Sequence, residues 1–186
     1  CIRDRNNDNE KIILSRDCDA TLIPFGNAFT LKKGDEVKIT QALGGSYTIM
    51  ARGSLFRIES KDADAIGKDV VKITKEQSEI TGYATEEEIW EVLKTCYDPE
   101  IPVNMVDLGL IYSCELTNEK SGGTNIEIKM TLTAPGCGMG PMLVDEVKAK
   151  VNGVKNVKEV NVELVWEPQW NQDMMSDAAK LQLGLY

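Results

Sequence analysis

Residues 125–151 read NIEIKMTLTAPGCGMGPMLVDEVKAKV and contain a strand, a loop and a helix in succession. Every second residue from Ile126 to Leu132 is apolar, which predicts a strand with one buried face. Pro and Gly fill the loop 134–140, and Pro141 suits the first turn of a helix. The apolar residues of that helix recur at helical spacing: Leu143, Val144, Val147 and Val151.

The sequence on both sides extends this segment into a domain over residues 85–186. The signals, in chain order, are a capping box at Thr85 and Glu88, a helix stop at Asp98–Pro99, alternating strands at 108–116 and 160–166, and a helix capped by Ser176 and Gly184. The predicted order is therefore helix, β-hairpin, helix, strand, helix. We expect an α+β fold in which a two-layer domain carries its helices on one face of a small sheet.

The N-terminal residues 1–60 have a different pattern, with short apolar runs separated by Gly-rich turns. We expect four strands, at 21–24, 36–40, 47–50 and 55–58. They predict a small antiparallel β module. Residues 61–84 are charged and weakly periodic, so they are interpreted as a linker.

The composition excludes several classes of function. The 186 residues include 21 Lys and Arg, 30 Asp and Glu and no His, which gives a formal net charge of −9. A nucleic acid or an anionic membrane is not an expected partner, because both bind clustered cations. The lack of His removes Ser-His-Asp and Cys-His catalysis and the usual zinc-hydrolase ligand sets. The composition is also compatible with a homodimer.

Five scattered cysteines without a C-x-x-C motif suit reduced thiols in the cytoplasm rather than a disulfide scaffold: Cys1, Cys18, Cys96, Cys114 and Cys137. Cys1 has no assigned role, Cys18 has no nearby partner, and Cys96 and Cys114 occupy apolar positions that predict burial. Cys137 is different because Gly136 and Gly138 flank it just before a helix. The free N–H groups of a helix start favour a thiolate, which makes Cys137 the candidate reactive or metal-binding residue.

A second candidate is the loop that begins at Asp98, where Pro99 and Pro102 stiffen the chain around Glu100 and Asp107 follows closely. A helix-terminating turn with solvated carboxylates is an almost equally good interpretation. If this loop meets the Cys137 loop, their carboxylates and thiolate would offer hard and soft ligands to iron or another transition metal.

Two blocks of the chain, residues 97–112 and 132–141, resemble the signature blocks of the metal–sulfur cluster biosynthesis (PaaD-like) family. Residues 39–48 and 173–185 are similar to one branch of that family, so the resemblance runs from about residue 18 to the C-terminus. It implies an accessory factor, not an enzyme, that transfers or targets iron–sulfur clusters to client apoproteins. The implied partners are cluster carriers or scaffolds and iron–sulfur apoproteins.

The same resemblance implies that Cys137 is the reactive residue and that Thr133 lies in one pocket with Asp98 and Glu100. Some relatives carry a second threonine where Ala134 stands here. We expect iron or an iron–sulfur cluster to bind transiently, so the purified protein could hold none. The expected ligands are Cys137, Asp98 and Glu100, and the expected pocket residues are Thr133, Asp107, Pro99, Gly136 and Gly138.

Two alternatives stay open: a thiol enzyme with Cys137 as nucleophile and Asp98 or Glu100 as base, and a pure protein–protein adaptor. The pocket hypothesis also predicts geometry. The Cys137 sulfur should be partly exposed and within a side chain's reach (~4–8 Å) of Asp98, Glu100 or Thr133. The aromatic segment 166–175 is expected to cap the core rather than to bind a partner.

Overall fold

A computed structural model describes residues 11–70 and 82–185 and divides the chain into two compact units, Cys1–Lys72 and Ile73–Tyr186. The predicted α+β class is confirmed: an antiparallel sheet occupies the first unit, and helices alternate with strands in the second. None of the helices among these described residues has the length and apolar character that crossing a membrane requires.

Over residues 11–70, the first unit forms a six-stranded antiparallel sheet in the order β1-β4-β5-β6-β2-β3. The strands are β1 Lys11–Ile13, β2 Cys18–Ile23, β3 Asn27–Leu31, β4 Glu36–Leu43, β5 Ser46–Ala51 and β6 Ser54–Ile58. The four predicted strands correspond to β2, β4, β5 and β6. The sequence did not reveal β1 and β3: β1 has only three described residues, and four successive residues of β3 are exposed, so neither edge strand gives a clear alternating pattern.

A 3-10 helix, Ser60–Ile66, follows β6 and packs on this sheet. Its residues Ala65 and Ile66 join the apolar core, and Arg16 from the β1–β2 connection binds Asp64 through two hydrogen bonds of 2.8 and 2.5 Å. This helix lies in the predicted linker 61–84, of which residues 71–81 are outside the described part of the chain, as is Cys1. The domain bounds 1–60, 61–84 and 85–186 stay a prediction.

Within residues 82–185, the second unit contains a three-stranded sheet in the order β7-β8-β9 with three α-helices. Its elements are α1 Glu86–Leu93, β7 Ile111–Asn118, β8 Thr124–Met130, α2 Gly140–Asn152, β9 Val157–Leu164, a 3-10 turn Gln172–Met174 and α3 Asp177–Leu183. The hairpin β7–β8 is antiparallel, whereas β8 and β9 are parallel and α2 is the crossover between them.

The capping signals are confirmed. The Thr85 hydroxyl accepts a hydrogen bond from the Glu88 N–H, and the Glu88 carboxylate accepts one from the Thr85 N–H, which together satisfy two free donors of α1. The Ser176 hydroxyl caps α3 by accepting a hydrogen bond from the Ala179 N–H, and Gly184 ends that helix at a φ of 70°.

The end of α1 corrects the sequence interpretation. The helix stops at Leu93, before the predicted stop at Asp98–Pro99, because the N–H groups of Thr95 and Cys96 bond three residues back instead of four. Cys96 is buried as expected, but it follows the helix rather than lying on its apolar face.

Candidate functional site

The Cys137 loop joins β8 to α2 and is built from tight turns. Gly136 has a φ of 79°, a left-handed conformation that glycine adopts without strain. The Cys137 N–H donates to the Ala134 carbonyl at 3.4 Å, and the Cys137 carbonyl accepts from the Gly140 N–H at 3.1 Å. The Cys137 side chain is partly exposed, and its neighbours Gly136 and Gly138 are exposed.

Close packing fixes where α2 begins. A Cβ atom at Gly140 would lie 2.9 Å from Leu132 Cδ1 and 3.5 Å from Leu164 Cδ1, so glycine lets the helix start press against the ends of β8 and β9. Met139 precedes the helix and is buried, and it provides no side-chain cap. The first turn of α2 contains no acidic residue, so no side chain of that turn offsets the partial positive charge at the helix N-terminus.

The carboxylate loop lies between α1 and β7 and is folded back on itself. The Met105 N–H donates to the Cys96 carbonyl at 2.8 Å, and Tyr97 and Asn104 form an isolated antiparallel bridge. Asp98 Oδ1 accepts from the backbone N–H groups of Glu100 at 2.8 Å and Ile101 at 3.3 Å. Asp98 therefore orders the turn that presents Glu100.

The two acids of this turn differ in exposure. Asp98 is 9% exposed and Pro99 is buried, whereas Glu100 is exposed. Although Glu100 is exposed as a residue, protein atoms near its carboxyl group displace some water, which raises the pKa of Glu100 above its ordinary value, and the nearby charge of Asp98 adds to the rise. A bound cation would relieve the repulsion between these carboxylates.

The β-hairpin brings the starts of both loops together. Ile111 at the beginning of β7 pairs with Met130 at the end of β8, and the Thr131 N–H donates to the Leu110 carbonyl at 2.8 Å. The carboxylate loop therefore enters the hairpin at the end where the Cys137 loop leaves it. Thr133 is partly exposed in the outgoing loop. The predicted contact of Cys137 with Asp98, Glu100 or Thr133 stays a prediction.

Asp107 holds the carboxylate loop to α3. Its Oδ2 accepts from Asn104 Nδ2 at 2.6 Å, and its Oδ1 accepts from the Ser176 hydroxyl at 3.0 Å. Its backbone carbonyl also accepts from the Ser176 N–H at 2.8 Å. Because both carboxylate oxygens have protein donors, we interpret Asp107 as a residue that holds the carboxylate loop in place rather than as a ligand.

Sequence reasoning missed the extent of this C-terminal support. Trp170 Nε1 donates to the Leu108 carbonyl at 2.8 Å, and Gln182 Nε2 donates to the Pro102 carbonyl at 2.7 Å. Gly109 has a φ of 72°, and a Cβ atom there would overlap the Met174 carbonyl. The sequence signal was the aromatic segment 166–175, whose Met175 is buried although Trp166 is 44% exposed.

The other described cysteines have surroundings that explain them structurally. Cys18 and Cys96 are buried. Cys114 is half-buried rather than fully buried as predicted, because β7 is an edge strand of the three-stranded sheet. Burial raises the pKa of the Cys114 thiol to about 11, and the Glu86 carboxylate contributes to the rise. Cys114 therefore stays a neutral thiol at physiological pH.

Among residues 11–70 and 82–185, no three Cys, Asp or Glu side chains are grouped so that they could hold a metal ion. The fold and the loops define a small α+β unit in which a partly exposed thiol and a carboxylate loop belong to the same hairpin end. Residues 86–164 of this chain, which lie within the second unit, match the sequence model of the iron–sulfur cluster assembly protein family.

Curated relatives agree with this match. The chain is 48% identical over 100 residues to an "Fe-S protein maturation auxiliary factor" of Porphyromonas gingivalis, a match that covers 54% of this chain and 91% of the relative. It is 41% identical over 102 residues to "Fe-S protein maturation auxiliary factor YitW" of Bacillus subtilis, covering 55% and 96%. It is 40% identical over 88 residues to "Fe-S protein maturation auxiliary factor SufT" of Staphylococcus aureus, covering 47% and 96%.

The chain belongs to the iron–sulfur cluster assembly protein family. The resemblance to the PaaD-like family and its SufT branch is thereby confirmed. About half of this chain accounts for nearly the whole length of these three relatives.

Proposed function

We propose that this protein acts in iron–sulfur protein maturation by passing iron or an iron–sulfur cluster to apoproteins, with the Cys137 thiolate as a ligand of the cargo. The single observation that carries the proposal is the position of Cys137. Its thiol is partly exposed and lies in a glycine-rich turn, separated from the start of α2 by two residues. The carboxylate loop joins the hairpin at the same end.

The charge of the two loops supports a cationic cargo. Residues 97–110 contain three acids and no Lys or Arg, and residues 131–142 contain no charged side chain. Asp98, Glu100 and Cys137 are not grouped as a ligand set in this structure, so binding an iron ion to all three would require the two loops to move together; carboxylate oxygens and a thiolate sulfur are a mixed set that transition metals accept. Thr133, Pro99, Gly136 and Gly138 would line this pocket, and Asp107 would shape it.

One thiolate cannot hold a cluster by itself, so the remaining ligands would come from a partner protein or a small thiol. Transfer would then be a ligand exchange. A deprotonated thiolate of the receiving apoprotein bonds to iron, the Cys137–iron bond breaks, and Cys137 leaves as a thiolate that takes a proton from water. No electron is transferred in this exchange.

The relatives are named auxiliary factors, which supports an accessory role without catalysis. The proposed partners are cluster carriers or scaffolds and iron–sulfur apoproteins in the cytoplasm. A net charge of −9 gives no support to nucleic acid as a partner.

The proposal is tested by anaerobic reconstitution with ferrous iron and sulfide, followed by iron and sulfide analysis. The parent should bind both, and Cys137→Ser should lose most of the binding. Cys114→Ser is the matched control, because it removes the other partly exposed thiol of the same unit. Equal binding by the parent and Cys137→Ser would refute the ligand assignment.

A cellular experiment separates the proposal from the two alternatives. In a strain that lacks this protein, Cys137→Ala should fail to restore the activities of iron–sulfur enzymes. Full restoration would favour an adaptor. Turnover of a model thioester that needs Cys137 but no iron would favour a thiol enzyme.

A further inference from the structure

The helix α3 contacts the carboxylate loop at two separate points. Gln182, near the end of α3, donates a hydrogen bond from Nε2 to the Pro102 carbonyl at 2.7 Å. Ser176, which caps the start of α3, donates from its hydroxyl to Asp107 Oδ1 at 3.0 Å. The contacts lie at opposite ends of the helix, so α3 holds the returning arm of the loop, residues 102–107, at both of its ends.

The contact at Pro102 lies at the end of the turn that presents Glu100. Asp98 Oδ1 accepts from the N–H groups of Glu100 and Ile101, and Pro102 is the next residue. Pro102 has no N–H group, so its carbonyl is the backbone group through which a hydrogen bond can hold it. Side-chain hydrogen bonds therefore hold this turn at both ends, one from Asp98 within the loop and one from Gln182 on α3.

The two contacts differ in what they do for the fold. The Ser176 hydroxyl also caps α3, so it contributes to the stability of the helix. Gln182 is exposed, and a hydrogen bond at the surface contributes little to the free energy of unfolding, because water competes for both groups. The Gln182 bond joins residues 80 positions apart in the chain. Its main effect is therefore to restrict where the turn with Glu100 lies.

We propose that Gln182 is a positioning residue of the cargo site: through the Pro102 carbonyl it fixes the turn that carries Glu100, and thereby raises the affinity of the chain for ferrous iron. This inference rests on the proposed function, in which Glu100 is a ligand of the cargo. A turn that is already ordered loses less conformational freedom when its carboxylate binds a metal, which makes binding tighter. Gln182 acts through the turn and is not itself assigned as a ligand.

Anaerobic titration of the full chain with ferrous iron, against a competing colorimetric chelator, measures this contribution. Gln182→Met keeps the length of the side chain but removes the donor, so it should weaken iron binding about three- to tenfold. Gln182→Arg retains N–H donors and should recover most of the affinity. Gln169→Met is the matched control, because it makes the same exchange at an exposed glutamine before α3, and it should bind iron as the parent does.

Two further measurements separate positioning from a general loss of structure. In a Glu100→Gln background, Gln182→Met should have no further effect on iron affinity, because the bond acts through Glu100. In the metal-free chain, the amides of Glu100 and Ile101, which donate to Asp98, should exchange with solvent about threefold faster or more in Gln182→Met. Gln169→Met should leave their exchange unchanged, as followed by NMR.

The outcomes distinguish a failure of this inference from a failure of the proposed function. A parent that binds no ferrous iron refutes the proposed function, and amide exchange then decides alone whether Gln182 positions the turn. If the parent binds iron, the positioning role is overturned by equal affinity in Gln182→Met, by an undiminished loss in the Glu100→Gln background, or by unchanged amide exchange.

Discussion

The two loops at the β7–β8 hairpin end are held in opposite ways. The carboxylate loop is fixed by α3 and by the segment before it, through Ser176, Trp170 and Gln182. The Cys137 loop is held by its own turns, by the buried side chain of Met139 and by the packing of Gly140 on the strand ends. Side-chain hydrogen bonds from the C-terminal segment thus hold the carboxylate loop, while backbone turns and packing hold the loop that carries the thiol. In the proposed site, we interpret the carboxylate loop as the fixed half and the Cys137 loop as the half held by its own turns.

The largest predicted effect is on the fixed half. Gly109→Ala should destabilise the second unit by about 3 kcal/mol or more, because alanine is strained at a φ of 72° and its methyl group would overlap the Met174 carbonyl. Gly136→Ala is the matched control. It has a similar φ of 79° but nothing within 4 Å, so its cost should be about 1 kcal/mol. Urea unfolding of both variants measures the difference, and equal losses would contradict the close approach at Gly109.

An intermediate effect is expected at the contact of α3 with the loop. Ser176→Ala should cost about 1–2 kcal/mol, because it removes both the cap of α3 and a hydrogen bond to Asp107. Ser176→Thr retains a hydroxyl and should recover much of this loss. If Ser176→Thr is as unstable as Ser176→Ala in urea unfolding, the hydroxyl is not the stabilising group.

Alkylation should distinguish the thiols. At pH 8, iodoacetamide should modify Cys137 before Cys114, and Cys18 and Cys96 should react last. The rate at Cys114 should rise about tenfold for each pH unit up to its pKa of about 11. Because this pKa lies above the ordinary thiol value, the folded state favours the protonated Cys114 thiol. The resulting gain in folding stability is fully present below about pH 8.5 and is lost as the pH rises through 11. Mass spectrometry of timed samples gives the order, and faster modification of Cys114 would contradict it.

The smallest effect concerns Glu100. Its raised pKa means that the folded state favours the protonated carboxyl, so stability is greatest below the unfolded pKa and falls as the pH rises through the folded value. Glu100→Gln should therefore raise the melting temperature slightly at pH 7 and leave it unchanged near pH 3. Glu159→Gln, at an exposed site on β9, is a control for loss of a surface charge. A lower melting temperature for Glu100→Gln at pH 7 would contradict the repulsion from Asp98.

Local signals predicted the second unit well. The capping box at Thr85, the alternation of Ile126, Ile128 and Met130, and the cap at Ser176 all depend on neighbours in sequence, and each is confirmed. The early end of α1 was not predicted, because a tightened last turn leaves little trace in the residue pattern.

Contacts between distant residues could not be predicted. The bond from Ser176 to Asp107 spans 69 residues, and the bond from Trp170 to Leu108 spans 62. Neither follows from periodicity, so the sequence placed Asp107 in the pocket without showing what holds it. The edge strand β3 was missed for a related reason, because its exposed residues lack the alternation that identifies a half-buried strand.

Iron-edge X-ray absorption of the protein loaded anaerobically with ferrous iron tests the central claim most directly, because it identifies the atoms bound to the metal. The account predicts a first shell of sulfur and oxygen in the parent and in Cys114→Ser, and loss of the protein sulfur in Cys137→Ser. A sulfur shell that persists unchanged in Cys137→Ser would contradict the claim that Cys137 binds the cargo.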